Sequence, residues 1–277
     1  MSAYSPYLAA FTSRFLLMMQ YRSAALASFL TQCWFGLVRV MVLAAFYKGA
    51  AQSDSTLPLS FAQAVTYTWL AQGLLALLPW AADPDIAAAM RTGAVGHDRL
   101  RPVDTYNLWY ACTAGRMIAR ILPRLLLMVL AAGVVLPLIG KEELAWAPPS
   151  GTAAAMLFAL SLTVAVALSC AVVMLINITV VSTLNERGVN TLVVPVVFIL
   201  SGALLPLPFY PDMARLALFI QPLAGVLDIP SRIYSGALTG PMAWIGISLQ
   251  VLWTFTLVVA GKKWLSYGMQ RLEVQGG

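Results

Sequence analysis

Residues 151–181 read GTAAAMLFALSLTVAVALSCAVVMLINITVV, thirty-one residues in a row without one charged side chain. A helix needs about 20 apolar residues to cross the hydrocarbon core of a bilayer, whereas a transmembrane strand alternates over about ten. The run is far too long for a strand and too uniformly apolar for the stripe of a surface helix. It reads as a membrane-crossing helix. The whole chain has the same character: of 277 residues, 60% are hydrophobic and only 10% are Asp, Glu, Lys or Arg, against roughly 25% charged in a soluble domain. Mean hydropathy is +0.81. A soluble globule of this size could not hide that much apolar surface, and a disordered chain would not carry it. The composition predicts an all-α membrane protein with no room for a separate enzymatic domain.

Working outward from 151–181, the same reading finds six spans, at 24–47, 57–80, 118–139, 151–181, 189–205 and 241–261. Residues 5–22 precede them as a helix for the membrane interface, with Tyr7, Leu8, Phe11, Phe15, Met18 and Met19 able to share one face. Between spans 2 and 3, residues 83–104 form a polar segment. Asp83 is an N-cap, Pro84 suits the first helical position and Asp85 complements the positive helix end. A short helix over 86–92 is predicted, with Gly93 closing it. Asp104 caps the next helix, and Pro123 is expected to kink it. Residues 185–187, Asn-Glu-Arg, are expected to make a tight polar turn between spans 4 and 5. Residues 206–240 are apolar but punctuated by Pro206, Pro208, Pro211, Pro222 and Pro230. One helix fits after Asp212 and another after Ala224, each too short to cross, so both are expected to be re-entrant or interfacial. Lys262 and Lys263 stop span 6.

Six spans with both termini inside segregate the cations. Arg14, Arg22, Arg91, Arg99, Arg101, Arg116, Arg120, Arg124, Arg187, Lys262, Lys263 and Arg271 fall on the inner side, and Lys48, Lys141, Arg215 and Arg232 on the outer. The positive-inside rule selects that orientation. The net charge of +6 therefore reports topology rather than nucleic-acid binding, for which no basic patch interleaved with aromatics is present. No cleavable signal sequence is expected. Cys33, Cys112 and Cys170 have the spacing of neither a metal site nor a disulfide framework.

Catalytic chemistry is missing from the sequence. No Asp, Glu or His lies in a predicted span, so the relay of a proton-coupled carrier is absent. There is no H-E-x-x-H, no G-x-S-x-G and no G-x-x-x-x-G-K-[ST]. His97, the only histidine, has no second ligand candidate. No catalytic residue, metal site or cofactor is expected in this chain. Arg39 is the one clear charge within a span, and it either snorkels, meets a subunit or lines a pathway. Gln32, seven residues earlier, shares its face. Gln72 and Asn190, with Asn177, complete the polar candidates for a pathway, or serve as glue between helices. The Arg116, Arg120, Arg124 face is expected to meet phospholipid headgroups or a neighbour's acidic edge. No internal repeat relates the first three spans to the last three.

Two stretches carry a family resemblance over essentially the whole chain. MRTGAVGHDRLRPVDTYNLWYA, residues 90–111, is similar to the "R-[ST]-G … LLRPV" stretch of the ABC-2 type permeases. SGALLPLPFYPDMARLALFIQPLAGVLDIPSRIYSG, residues 201–236, is similar to that family's Pro-punctuated segment before the last span. The resemblance implies a permease subunit of an ATP-binding cassette exporter. Two copies of an ATPase subunit would supply ATP and Mg. A second permease subunit would complete the pathway, with a heteromeric pair favoured over a homodimer. The location would be a bacterial inner membrane. It also implies that Asp83, Pro84, Asp85, Ile86, Met90 and Arg91 form a coupling helix on the ATPase, that Asn185, Glu186 and Arg187 make a second contact, and that spans 1, 2 and 5 line the cavity. A sparsely charged pathway suits an amphipathic compound, drug, lipid or peptide. The alternatives are a stand-alone secondary transporter, which lacks its carboxylate here, and a membrane-embedded enzyme or scaffold, which lacks a polar cluster.

Overall fold

The computed structural model describes residues 5–52, 57–91, 103–183 and 185–271. Among them every regular element is a helix. The chain begins with α1 (Ser5–Met19), turns at Gln20 and Tyr21, and enters α2 (Arg22–Gln52). α3 (Phe61–Leu74) and the short α4 (Pro84–Arg91) follow. α5 (Thr105–Leu130) continues through a π turn, Ala131–Val135, to Leu138. α6 (Thr152–Thr183), α7 (Glu186–Leu200), the two short helices α8 (Asp212–Ile220) and α9 (Asp228–Tyr234), and α10 (Gly240–Arg271) complete the fold. Among the described residues, four helices are long and apolar enough to cross a membrane: Ser23–Gln52, Thr105–Leu138, Thr152–Thr183 and Gly240–Tyr267.

α6 and α3 form the centre. Two thirds of the apolar window of α6 is buried, against 11% in α2. α3 is enclosed on all sides, with every residue from 64 to 79 buried. Around them Tyr67, Leu74, Leu77, Met117, Leu168 and Leu227 build the main core. α1 accompanies the first half of α5 and α2 the second. The Tyr7 hydroxyl accepts from the Asp104 N–H at 3.1 Å, the Phe11 carbonyl is pressed against Gly115, and Phe29 and Val40 share a cluster with Met128 and Leu136. A side chain at position 115 would collide with backbone, so only glycine permits this approach. α2, α5 and α10 present large apolar side chains outward, among them Trp34, Leu126 and Phe255. An exterior of this kind fits lipid or another subunit rather than water.

Several expectations shift. The α-helix of span 2 is only Phe61–Leu74, continued by a 3-10 turn over Leu75–Leu77. Ser60 caps its start, accepting from the Gln63 N–H at 3.2 Å while Gln63 answers the Ser60 N–H at 3.0 Å. This reciprocal pair fixes the first turn four residues into the apolar run. Span 5 is helical over Glu186–Leu200 rather than 189–205, because Asn185 caps it, accepting from the Gly188 N–H at 2.9 Å. Glu186 and Arg187 thus belong to a helix rather than a turn. Pro123 lies inside α5 without ending it. A widened turn comes before Pro137. In the π register the Ala132 carbonyl would seek the missing proline N–H, and it takes the Trp146 N–H at 3.0 Å. Span 6 does not stop helically at Lys262 and Lys263, since α10 runs on to Arg271. Short helices follow Asp212 and, after a 3-10 turn over Pro222–Gly225, begin again at Asp228. The short polar helix is Pro84–Arg91; its expected end at Thr92 and Gly93, the whole of 92–102 including His97, Arg99 and Arg101, and residues 53–56 lie outside the described residues.

Candidate functional site

The best-defined polar constellation gathers at the start of α4. Asp83 is the N-cap that the sequence indicates, its Oδ1 accepting from the Asp85 N–H at 3.0 Å. Pro84 occupies the first helical position, where a missing N–H costs nothing. Ile86 is buried among Tyr106, Trp109, Met174 and Leu265 and fastens the first turn to α5, α6 and α10.

Around that start the charges alternate. Arg14 Nη1 on α1 lies 2.5 Å from Asp85 Oδ2. Asp85 Oδ2 is 3.2 Å from Arg116 Nη2 on α5, and the same nitrogen is 2.5 Å from the Asp83 carboxylate. Side-chain exposure rises outward along this run, from 2% at Asp83 through 12% at Arg116 to 52% at Asp85. Two amides hold the backbone beneath it. The Asp83 N–H donates to Asn177 Oδ1 on α6 at 2.7 Å, and the Ala82 N–H to Asn190 Oδ1 on α7 at 3.1 Å. A short helix is therefore rooted in four longer ones, α1, α5, α6 and α7. Removing one partner of a mostly buried charge pair leaves the other without hydration, so each member depends on the rest.

A second network surrounds α9 and meets α3 at its middle, at Tyr67. Asp228 is fully buried. Its Oδ1 accepts from the Tyr67 hydroxyl at 3.0 Å and the Leu207 N–H at 3.2 Å, and its Oδ2 from Arg232 Nη1 at 3.2 Å. Arg39 reaches the neighbouring turn from α2. Its Nη1 donates to the Ala203 carbonyl at 2.6 Å, and its guanidinium lies 5.6 Å from the Phe198 ring centre. Between Arg39 and Tyr67 the chain leaves α7 through Gly202, at φ +83°, where a side chain would collide with the Tyr67 hydroxyl. Arg39 thus binds the end of α7 to α2.

The pathway candidates separate accordingly. Arg39 is engaged with the Ala203 carbonyl, Asn190 with the Ala82 N–H, and Gln72 is enclosed within α3 at 1% exposure. Gln32 is half-buried on α2, one face with Arg39. Two cavities, of about 590 and 930 Å³, are lined by other residues. Of the coupling candidates, the structure brings together Asp83, Pro84, Asp85 and Ile86. Asn185, Glu186 and Arg187 lie about one turn before Asn190 at the start of α7, the helix that holds the Ala82 N–H. The side chains of Met90 and Arg91 lie outside the described residues. Sequence reading missed Arg14 and Arg116 as partners of the two aspartates, and it missed Tyr67 and Asp228 altogether. For Asp228 the available signal was a carboxylate four residues before Arg232 in an otherwise apolar segment. Among the described residues no group of His, Cys, Asp or Glu is arranged to hold a metal ion.

Compared with protein families, with curated proteins and with solved structures, the chain matches none.

Proposed function

We propose that this chain is a permease subunit of an ABC-2 type exporter, half of a translocation pathway driven by a separate ATPase. The observation that carries the reading is the Arg14–Asp85–Arg116–Asp83 run, which ties one short helix to α1 and α5 beside the amides that hold it to α6 and α7. A helix eight residues long, half-exposed at Asp85 and clamped to the bundle at its base, suits a part pushed from outside. A push on α4 is resisted by charge pairs to α1 and α5 and by amide bonds to α6 and α7, so it moves those helices as a set. Coupling in this sense is a two-state element biased from two sites.

In this reading α3 and α7 join the four long helices as six crossings. α3 with its 3-10 turn reaches about 27 Å, close to the thickness of a hydrocarbon core. α8 and α9 are the re-entrant pair, and both termini face the cytoplasm of a bacterial inner membrane. ATP and Mg reside on two ATPase subunits that receive α4. A second permease, a paralogue rather than an identical copy, closes the pathway, and the cargo is an amphipathic compound, drug, lipid or peptide.

A stand-alone carrier would use Asp228 as its relay. That carboxylate already accepts from Arg232, Tyr67 and the Leu207 N–H, which favours a structural tie. The test is purification of the tagged chain from its native membrane in mild detergent, with mass spectrometry of what accompanies it. A stoichiometric ATPase is expected, lost when residues 83–92 are replaced by a flexible linker. A chain that emerges alone under every mild condition overturns the reading.

A further inference from the structure

Arg116, Arg120 and Arg124 follow one another at four-residue intervals on α5, but only Arg116 is paired with carboxylates. Arg120 and Arg124 instead line a cavity of about 590 Å³ at the elbow where α1 gives way to α2. Arg124 Nη2 donates to the Ser28 hydroxyl, a neutral acceptor. No carboxylate among the described residues pairs with Arg120, and no acidic residue lines the cavity. The remaining wall is almost wholly apolar, including Met18, Ala24, Ala25, Pro123 and Leu127. The site thus joins two uncompensated guanidinium groups and a hydroxyl to an apolar recess of ligand size.

Its depth adds to the argument. After Arg124 the chain has no charged residue before Leu138, a helical length of about 21 Å. A hydrocarbon core is about 30 Å thick, so both arginines stand within reach of the level where acyl chains meet headgroups. An arginine at that depth needs water or an anion. Paired guanidinium donors match phosphate oxygens, and the absence of a carboxylate leaves nothing to receive the ammonium of a zwitterionic lipid.

We propose that this elbow cavity binds an anionic phospholipid from the leaflet on the α1 side. Its phosphodiester is held by Arg120, Arg124 and Ser28, and an acyl chain lies along Ala25 and Leu127. The site needs only that α2 and α5 lie in a bilayer, so it stands apart from the exporter reading.

The test is native mass spectrometry on the detergent-purified protein, with the subunits that accompany it. The probes are palmitoyl-oleoyl phosphatidylglycerol, phosphatidylcholine of the same chains, and soluble glycerol phosphate. Phosphatidylglycerol should be retained about tenfold more than phosphatidylcholine, and glycerol phosphate should not displace it. The pair Arg120→Gln and Arg124→Gln should erase that preference, while Arg120→Lys with Arg124→Lys keeps most of it. Ala25→Trp, which fills the recess and leaves both arginines, should reduce retention several-fold even if the glutamine pair fails to fold. Equal retention of the two lipids by the unaltered protein overturns the proposal, as does displacement by glycerol phosphate, which marks a phosphate-ester site without a lipid. Undiminished binding in a folded Ala25→Trp variant overturns the location.

Discussion

α4 and α9 are each led by a buried aspartate that ties its short helix to longer neighbours, but only at α4 do the charges continue outward. Asp228 is fully buried, and the helix it begins sets Ile229 and Ile233 against Leu238 and Ile247. At α4 only the inner carboxylate, Asp83, is buried, while Asp85 is half-exposed and the apolar anchorage comes from Ile86. The inner pairs are enclosed alike, Asp83 and Arg116 at 2% and 12% exposure and Asp228 and Arg232 at 0% and 18%, but only the α4 pair continues outward to the exposed Asp85 and to Arg14. What differs is how far the charges extend toward water beyond the buried pair. Where water can enter, a broken pair is rehydrated, and where it cannot, the full desolvation penalty remains.

That contrast can be broken by substitution. The largest effect is expected from Asp228→Ala, which strands the Arg232 guanidinium and the buried Leu207 N–H, while the Tyr67 hydroxyl retains the Gly202 carbonyl at 3.2 Å. A loss of about 3–5 kcal/mol follows from breaking a buried charge pair, read as thermal unfolding in detergent. Arg116→Met should cost about 1.5–3 kcal/mol, because it abandons a buried Asp83 that still keeps its cap to Asp85. If Arg116→Met proves as costly as Asp228→Ala, the retained cap gives Asp83 no relief and the distinction fails. Arg14→Ala acts on the exposed end of the run and should cost at most about 1 kcal/mol, less at high salt. A measured loss of several kcal/mol there would mean that the outer pair is shielded by something seated on α4.

Some helix starts were legible in the sequence, though not those capped by Ser60 and Asn185. Asp83-Pro84-Asp85 and Asp104 declare their helices through local chemistry, and the prolines of 206–240 divide that segment into short pieces. Hydropathy could not separate α2 from α3. Both read as apolar runs, yet α2 faces outward and α3 is enclosed, because lipid and protein offer the same apolar surroundings to a side chain. Nor could periodicity pair residues across helices. Asp83 finds Arg116 and Asn177, and Arg39 finds the Ala203 carbonyl, only once the bundle has set their distances. For this reason Arg39, Gln72 and Asn190, read as candidates for a pathway, turn out to be enclosed or tied to other helices.

The continuity of α5 has a geometric consequence. Its backbone is helical from Thr105 to Leu138, with one widened turn near the far end. Gly115, where the α1 backbone bears directly on it, lies beside the arginine that grips Asp83. A swing of about 5° around that point carries Leu138, about 35 Å along the axis, some 3 Å sideways. The rod multiplies angle into distance, and the wide turn at Ala131–Val135 is where such a gain could be absorbed or passed on.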